Sequence, residues 1–225
     1  MTGGVIPAAG WAVIRGSGTQ GCSFPEDAGL KTRILKQDLV FKTPFGDSPS
    51  FLLFETAAGC RCLSVRLHGW RDGVSRGDAS RQVFWVLHQA GVKNIFSEAG
   101  VGSLNPLLDP RDLIVPDDYV DLTTHRNPTP IVGGNLLIMR DPVCVVLSQA
   151  LVSSAELHAS GRVSGCGTCV VTDAPGFQSR AELRIMHTLR ARLAHTMCPA
   201  ALRATDLAHC MAALYISVTP SLRVD

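Results

Sequence analysis

The stretch VTDAPGFQSRAEL, residues 171–183, decides the reading of the fold. A β-branched run reaches Asp173 and breaks at Pro175, which cannot donate to a strand ladder. Phe177 follows on a loop. Ser179-x-x-Glu182 is a capping box and starts a helix. A strand, an acidic and aromatic loop and a capped helix are the parts from which open α/β sheets build a ligand site at their carboxyl edge.

Working outward, residues 11–15 (WAVIR) read as a buried strand entering the turn GSG. Residues 43–56 read as a turn and a strand, 61–69 as a strand, and 93–104 as a strand running into a glycine-rich turn. Residues 112–126 read as a strand followed by a polar loop. Val83, Val86, Leu87 and Ala90 recur at helical spacing in 78–91, which ends at Gly91. Residues 141–157 and 179–194 read as helices, and 204–219 as a short helix merging into a last strand. Strands alternate with helices throughout, which predicts an α/β sheet. No linker, repeat or low-complexity segment interrupts the chain, so one domain over residues 1–225 is expected.

The 225 residues are 46% hydrophobic, ample for one such core. The formal net charge is +2 and the charges are dispersed, so no basic stripe points to nucleic acid. No apolar run reaches the roughly 18 residues that a membrane-spanning helix needs. The N-terminal segment MTGGVIPAAGWAVIRGSG has no charged n-region and leads directly into a strand, unlike a signal peptide. A cytoplasmic setting is the expectation. The eight cysteines include Cys60 and Cys62 on one strand face and the pair Cys166 and Cys169 in CGTC. A zinc site would need a second pair of similar spacing with histidines, so reduced structural thiols and no metal are expected.

Seven segments then occur in a specific order: IRGSG (14–18), TPFGDSPS (43–50), RLHG (66–69), SEAGVGSL (97–104), LIVPDDYVDLTTHR (113–126), IMRDP (138–142) and GTCVVTDAPGFQSRAEL (167–183). This order resembles the purine nucleoside phosphorylase superfamily, and within it the trimeric branch that includes methylthioadenosine phosphorylase. The resemblance covers roughly residues 11–219. It implies a central twisted mixed sheet flanked by helices. It also implies a homotrimer whose pocket is completed across a subunit interface, no cofactor, and cleavage of the N-glycosidic bond of a 5′-modified purine nucleoside with phosphate as co-substrate. The logic of such a reaction is electrostatic, with an oxocarbenium-like sugar above a phosphate dianion.

Carried over residue by residue, the resemblance places Ser17, Arg66 and Arg15 toward phosphate. His68 and Asp173 become candidate catalytic groups, with Glu98 and His195 as further ionisable candidates. Phe177, Met197, Ala99, Gly100 and Leu136 are assigned to the substrate pocket.

The departures from the family pattern are specific. Leu67 stands where a gapless match wants arginine, and Arg66 is one step back, on the opposite strand face. Ala99 replaces a hydroxyl residue, and Glu98 beside it would repel phosphate. Arg15 replaces a glycine and could compensate. Asp173 is one methylene shorter than the family's glutamate, and Ala200 replaces another glutamate. Leu136 replaces a histidine that approaches the 5′ end of the sugar. Pro220 and Leu222 occupy the positions of side chains that bond the purine, and the family's long C-terminal helix has no counterpart in the sequence.

Three readings stay open at this point. One is a nucleoside-cleaving enzyme carried by His68, Ser17, Phe177, Met197 and Asp173. Another is a repurposed enzyme in which His68, Glu98, Asp173 and His195 act on a different small molecule without phosphorolysis. The last is a non-catalytic binding protein on the same fold.

Overall fold

The computed structural model describes residues 4–69, 71–124, 140–173, 176–195 and 209–220. In chain order the elements are β1 (Trp11–Arg15), β2 (Thr32–Leu39), β3 (Lys42–Thr43), β4 (Gly46–Asp47), β5 (Phe51–Thr56), β6 (Arg61–Arg66) and α1 (Arg76–Gln89). They continue with β7 (Asn94–Ser103), β8 (Leu113–Ile114), β9 (Asp118–Asp121), α2 (Val145–His158), β10 (Val163–Ser164), β11 (Thr168–Val171), α3 (Arg180–Thr188), β12 (Leu193–His195) and β13 (Cys210–Pro220).

The spine of the molecule is β7. Its burial alternates strictly over all ten residues, as the pleat requires of a strand whose two faces meet different surroundings. The expected glycine-rich turn within 93–104 is therefore a continuation of the strand. β7 pairs in parallel with β1 over Asn94–Ser97 and with β13 over its whole length, then takes β12 antiparallel at Gly102 and Ser103. The main sheet path runs β10-β8-β13-β7-β1-β6-β5-β2, with β9, β11 and β12 branching from it. Parallel and antiparallel pairs coexist, so the sheet is mixed, as expected.

α1 covers one face. Ser75 caps it by accepting from Asp78 N at 3.0 Å, and Gly91, at φ 75°, ends it in a left-handed turn. Its Val83, Phe84, Val86 and Leu87 are fully buried against Ile14, Leu63 and Ile95. Each such side chain contributes about 1.5–3 kcal/mol relative to exposure. A second cluster of Ala99, Val101, Ile114, Cys169, Val171 and Leu193 fills the space between β7 and the β11 branch.

The observed elements differ from the expected ones at residues 32–39 and 179–194, and part of a third expected element lies outside the described residues. Residues 32–39 form a strand, β2, that the pattern did not predict, because it is an edge strand whose residues are at most half-buried. The helix expected over 179–194 stops at Thr188, where Arg190 takes a positive φ of 60° and the chain re-enters the sheet as β12. The helix expected to open 204–219 falls outside the described residues up to 208, and from Cys210 onward the backbone is strand. The thiols are also not all reduced: Cys144 and Cys210 form a disulfide across 66 residues, with Cα atoms 5.3 Å apart. Nothing in the spacing of the cysteines signals that pair, because β13 brings Cys210 to the start of α2 only in the folded sheet.

Candidate active site

The parallel strands β1, β6 and β7 end their common ladder at one edge, but at different heights. β1 stops at Arg15, whereas β7 runs on to Ser103. The residues of β7 beyond Ser97 would face an open position, and the turn Gly16–Gly18 fills it. Gly16 lies so close that a Cβ there would collide with the Glu98 carbonyl oxygen. The Ser17 hydroxyl accepts from Gly100 N at 2.9 Å and lies 3.4 Å from Gly100 O, taking the part of a missing ladder partner.

The carboxylate of Glu98 is drawn into this same turn. Its Oε1 accepts from Gly16 N and from the Thr19 hydroxyl, each at 2.6 Å. Its Oε2 is buried without a hydrogen-bond partner among the described residues, and a Cβ on Gly18 would collide with it.

Two arginines stand beside the turn. Arg15 and Arg66 are register partners on β1 and β6, so they lie side by side on one face. Burial and the neighbouring Arg66 charge lower the Arg15 pKa, with Glu98 acting the other way. The Arg15 guanidinium lies over the Phe24 ring at 5.4 Å, and Arg66 reaches the carbonyl of Gln20 at 3.3 Å. Leu67 instead packs half-buried against the main core. His68 is exposed and lines a cleft of about 230 Å³ with Ser50, Arg66, Arg71 and Arg76. Burial lowers the pKa of Arg71 and of Arg76. Arg71 donates to Asp47 O at 2.9 Å and to the Gln82 side chain.

A second group of residues gathers beyond β9 and β11, which pair in parallel and deliver their following loops to the same side. Asp173 accepts from both the amide and the hydroxyl of Thr124, at 2.8 and 2.7 Å. Ser179 and Glu182 form the expected capping box, with Ser179 N donating to Glu182 Oε2 at 2.6 Å and Glu182 N to Ser179 Oγ at 3.3 Å. Phe177 is 98% exposed. His195 stands opposite Val171 in the β11–β12 register. Met197 and Leu136 lie outside the described residues, as does the His195 side chain.

The fold therefore assembles Ser17, Arg15, Arg66, Glu98 and Gly100 around one turn, with His68 in the adjoining cleft. Asp173 belongs to the second group, and the Ala99 side chain is fully buried in the core beneath. Sequence reasoning missed Thr19, which bonds Glu98, and Thr124, which bonds Asp173. Both stand inside the quoted motifs or next to them, so polarity within a motif was the available signal. Arg71 and Arg76, which follow RLHG, were missed as well. A roomier cleft of about 430 Å³ beside α2 is lined by Asp117 and Asp141 and, among the described residues, by no cation, so the charge of that lining does not suit an anionic ligand.

Comparison with known proteins adds three findings. A family model described as the phosphorylase superfamily matches residues 25–215. The chain is 32% identical over 205 residues to an S-methyl-5′-thioadenosine phosphorylase of Mycobacterium tuberculosis, covering 90% of this chain and 72% of that one. It is 29% identical over 177 residues to one of Hyperthermus butylicus, and spans only 61% of that protein's length. Among solved structures, a methylthioadenosine phosphorylase from an antarctic soil metagenomic library superposes with a TM-score of 0.82 at 25% identity, over 97% of this chain and 76% of that one. A mutant adenosine/methylthioadenosine phosphorylase of Schistosoma mansoni in complex with methylthioadenosine also reaches a TM-score of 0.82, at 19% identity over 96% of this chain and 81% of that one, and shows likeness of fold.

Proposed function

The chain belongs to the phosphorylase superfamily, and on that premise we propose that it cleaves the N-glycosidic bond of a 5′-modified purine nucleoside such as methylthioadenosine. One observation carries the reading. The turn after β1, the RLHG segment after β6 and the middle of β7 meet at one sheet edge, and the loops after β9 and β11 meet beside each other. These are the segments whose order resembles the family.

Within this reading Asp173 is assigned to the nucleoside, His68 and Arg66 to the charged side of the site, and Phe177 to the base. No cofactor is needed. The glycosyl acceptor is a small oxygen nucleophile, which for a phosphorylase is inorganic phosphate. Oligomerisation as a homotrimer belongs to the same proposal. Leu122, Val145, Val146, Leu157 and Phe177 are exposed apolar side chains that such an assembly would cover. Among the described residues no helix is long and apolar enough to cross a membrane. A cytoplasmic setting is proposed with the rest.

The test is direct. Purified protein is incubated with methylthioadenosine, and adenine is followed by chromatography, with inosine as the comparison. Adenine release is the expected result. No release of base from either nucleoside at high protein concentration overturns the reading. Light scattering that returns the monomer mass overturns the trimer.

A further inference from the structure

Glu98 occupies the place that the turn after β1 would offer to an external anion. A backbone amide and a hydroxyl converging on one point are the ordinary construction of an oxyanion site. Here both are spent on a single carboxylate oxygen: Gly16 N–H and Thr19 O–H each lie 2.6 Å from Glu98 Oε1. The third polar group of the turn, the Ser17 hydroxyl, is spent on Gly100. Glu98 Oε2 is itself buried beside Gly18, so close that a Cβ on that glycine would collide with it. Arg66, the neighbouring cation, is turned to the carbonyl of Gln20. Phosphate entering this turn would find the Gly16 amide and the Thr19 hydroxyl already engaged and would meet a like charge at contact distance.

We propose that Glu98 is the residue that determines the glycosyl acceptor: it fills the turn as an internal anion, excludes phosphate, and leaves water as the acceptor. The proposal rests on the N-glycosidic cleavage argued above. In the step, the bond between C1′ and the purine nitrogen breaks and its electron pair leaves with the base, which takes up a proton. A water oxygen forms the new bond to C1′ and gives up a proton. Glu98 acts by occupying the turn and touches none of these atoms.

The experiment has two arms. In the first, the native protein and methylthioadenosine are incubated with and without inorganic phosphate, and the sugar product is identified by mass spectrometry. Free methylthioribose, released at a rate that phosphate does not change, is expected. A sugar 1-phosphate overturns the proposal. In the second arm, inorganic phosphate is titrated into native, Glu98→Ala and Glu98→Gln proteins while unfolding is followed. The Glu98→Ala protein should gain roughly 5 °C or more when phosphate exceeds its Kd a hundredfold. The native and Glu98→Gln proteins, whose turn stays filled, should not move. Equal stabilisation of native and Glu98→Ala proteins overturns the proposal. If Glu98→Ala does not fold, Glu98→Thr takes its place, and the product of the native protein decides independently. If the native protein releases no base at all, it is the cleavage reading that fails, and the phosphate titration still judges Glu98.

Discussion

Asp173 and Thr124 are joined by two hydrogen bonds to one oxygen: the amide of Thr124 donates to Asp173 Oδ2 at 2.8 Å and its hydroxyl at 2.7 Å. The pair ties the loop after β9 to the loop after β11 across 49 residues of sequence. Its position at the surface limits its worth for stability and leaves the carboxylate near solvent.

Replacing Thr124 by Val removes the hydroxyl bond and keeps the amide bond. We expect a loss of stability of about 1 kcal/mol or less, as for an exposed hydrogen bond. Asp173→Ala should cost little more in a urea melt. On the cleavage reading it should lower kcat/KM for methylthioadenosine by about 100-fold or more. Equal, small losses of activity in both variants would remove Asp173 from the proposed site.

Ser17 acts on the fold as well as standing near the site. In Ser17→Ala the amide of Gly100, part-buried, loses its acceptor. An orphaned amide costs about 1–3 kcal/mol. Ser17→Thr keeps the hydroxyl and should retain most of the stability. A Ser17→Ala protein as stable as the native one would show that water replaces the hydroxyl.

The seven cysteines among the described residues should divide into three classes under alkylation at neutral pH. Cys22, Cys60 and Cys166 are exposed and should react. Burial pushes the Cys62 thiol up to about 11 and the Cys169 thiol up to about 12, so both should stay unlabelled in the native protein. Cys144 and Cys210 should be labelled only after reduction. Closing a 66-residue separation stabilises by at most about 4 kcal/mol in the chain-entropy account, so reduction should lower the urea midpoint visibly. Peptide mapping by mass spectrometry reads all three classes.

Stability should fall as pH drops below neutrality, and His209 is a named contributor. Burial lowers its pKa, although the bond from its Nδ1–H to Val92 O at 2.8 Å acts in the opposite sense. Its Nε2, buried without a partner among the described residues, is the atom that would take the proton. The folded chain therefore holds this ring neutral while the unfolded chain protonates it below about pH 6.5. The unfolded state binds more protons there, so stability is lost as pH falls through that value toward the lower folded one. Urea midpoints at about pH 7.5 and 5.5 should differ less in His209→Gln than in the native protein, once other histidines are held constant.

Much of the local structure was readable from residues alone. Ser179 and Glu182 announce the start of α3 because a capping box is satisfied within four residues of chain. Val83, Val86 and Leu87 announce α1 because they lie on one helical face. The strand of residues 11–15 and its GSG turn were legible because a short apolar run ends at glycines, and the order of motifs pointed to the family. Residues 32–39 and 193–195 were not legible as strands. The former form a half-exposed edge, and the latter are a three-residue strand that follows α3 after a left-handed Arg190.

The sequence by itself determined where α1 and α3 start, where β1 runs and which family the chain resembles, because propensity, capping and burial pattern act over a few neighbouring residues. Only the tertiary structure decided what the candidate site contains. The bonds from Gly16 and Thr19 to Glu98 span 82 and 79 residues, and the Ser17–Gly100 contact spans 83. No local rule reports such partners, because they exist only once β1 stops short beside a longer β7 and leaves an edge to be filled. That difference in strand length puts a carboxylate where the motif alone suggests room for an anion.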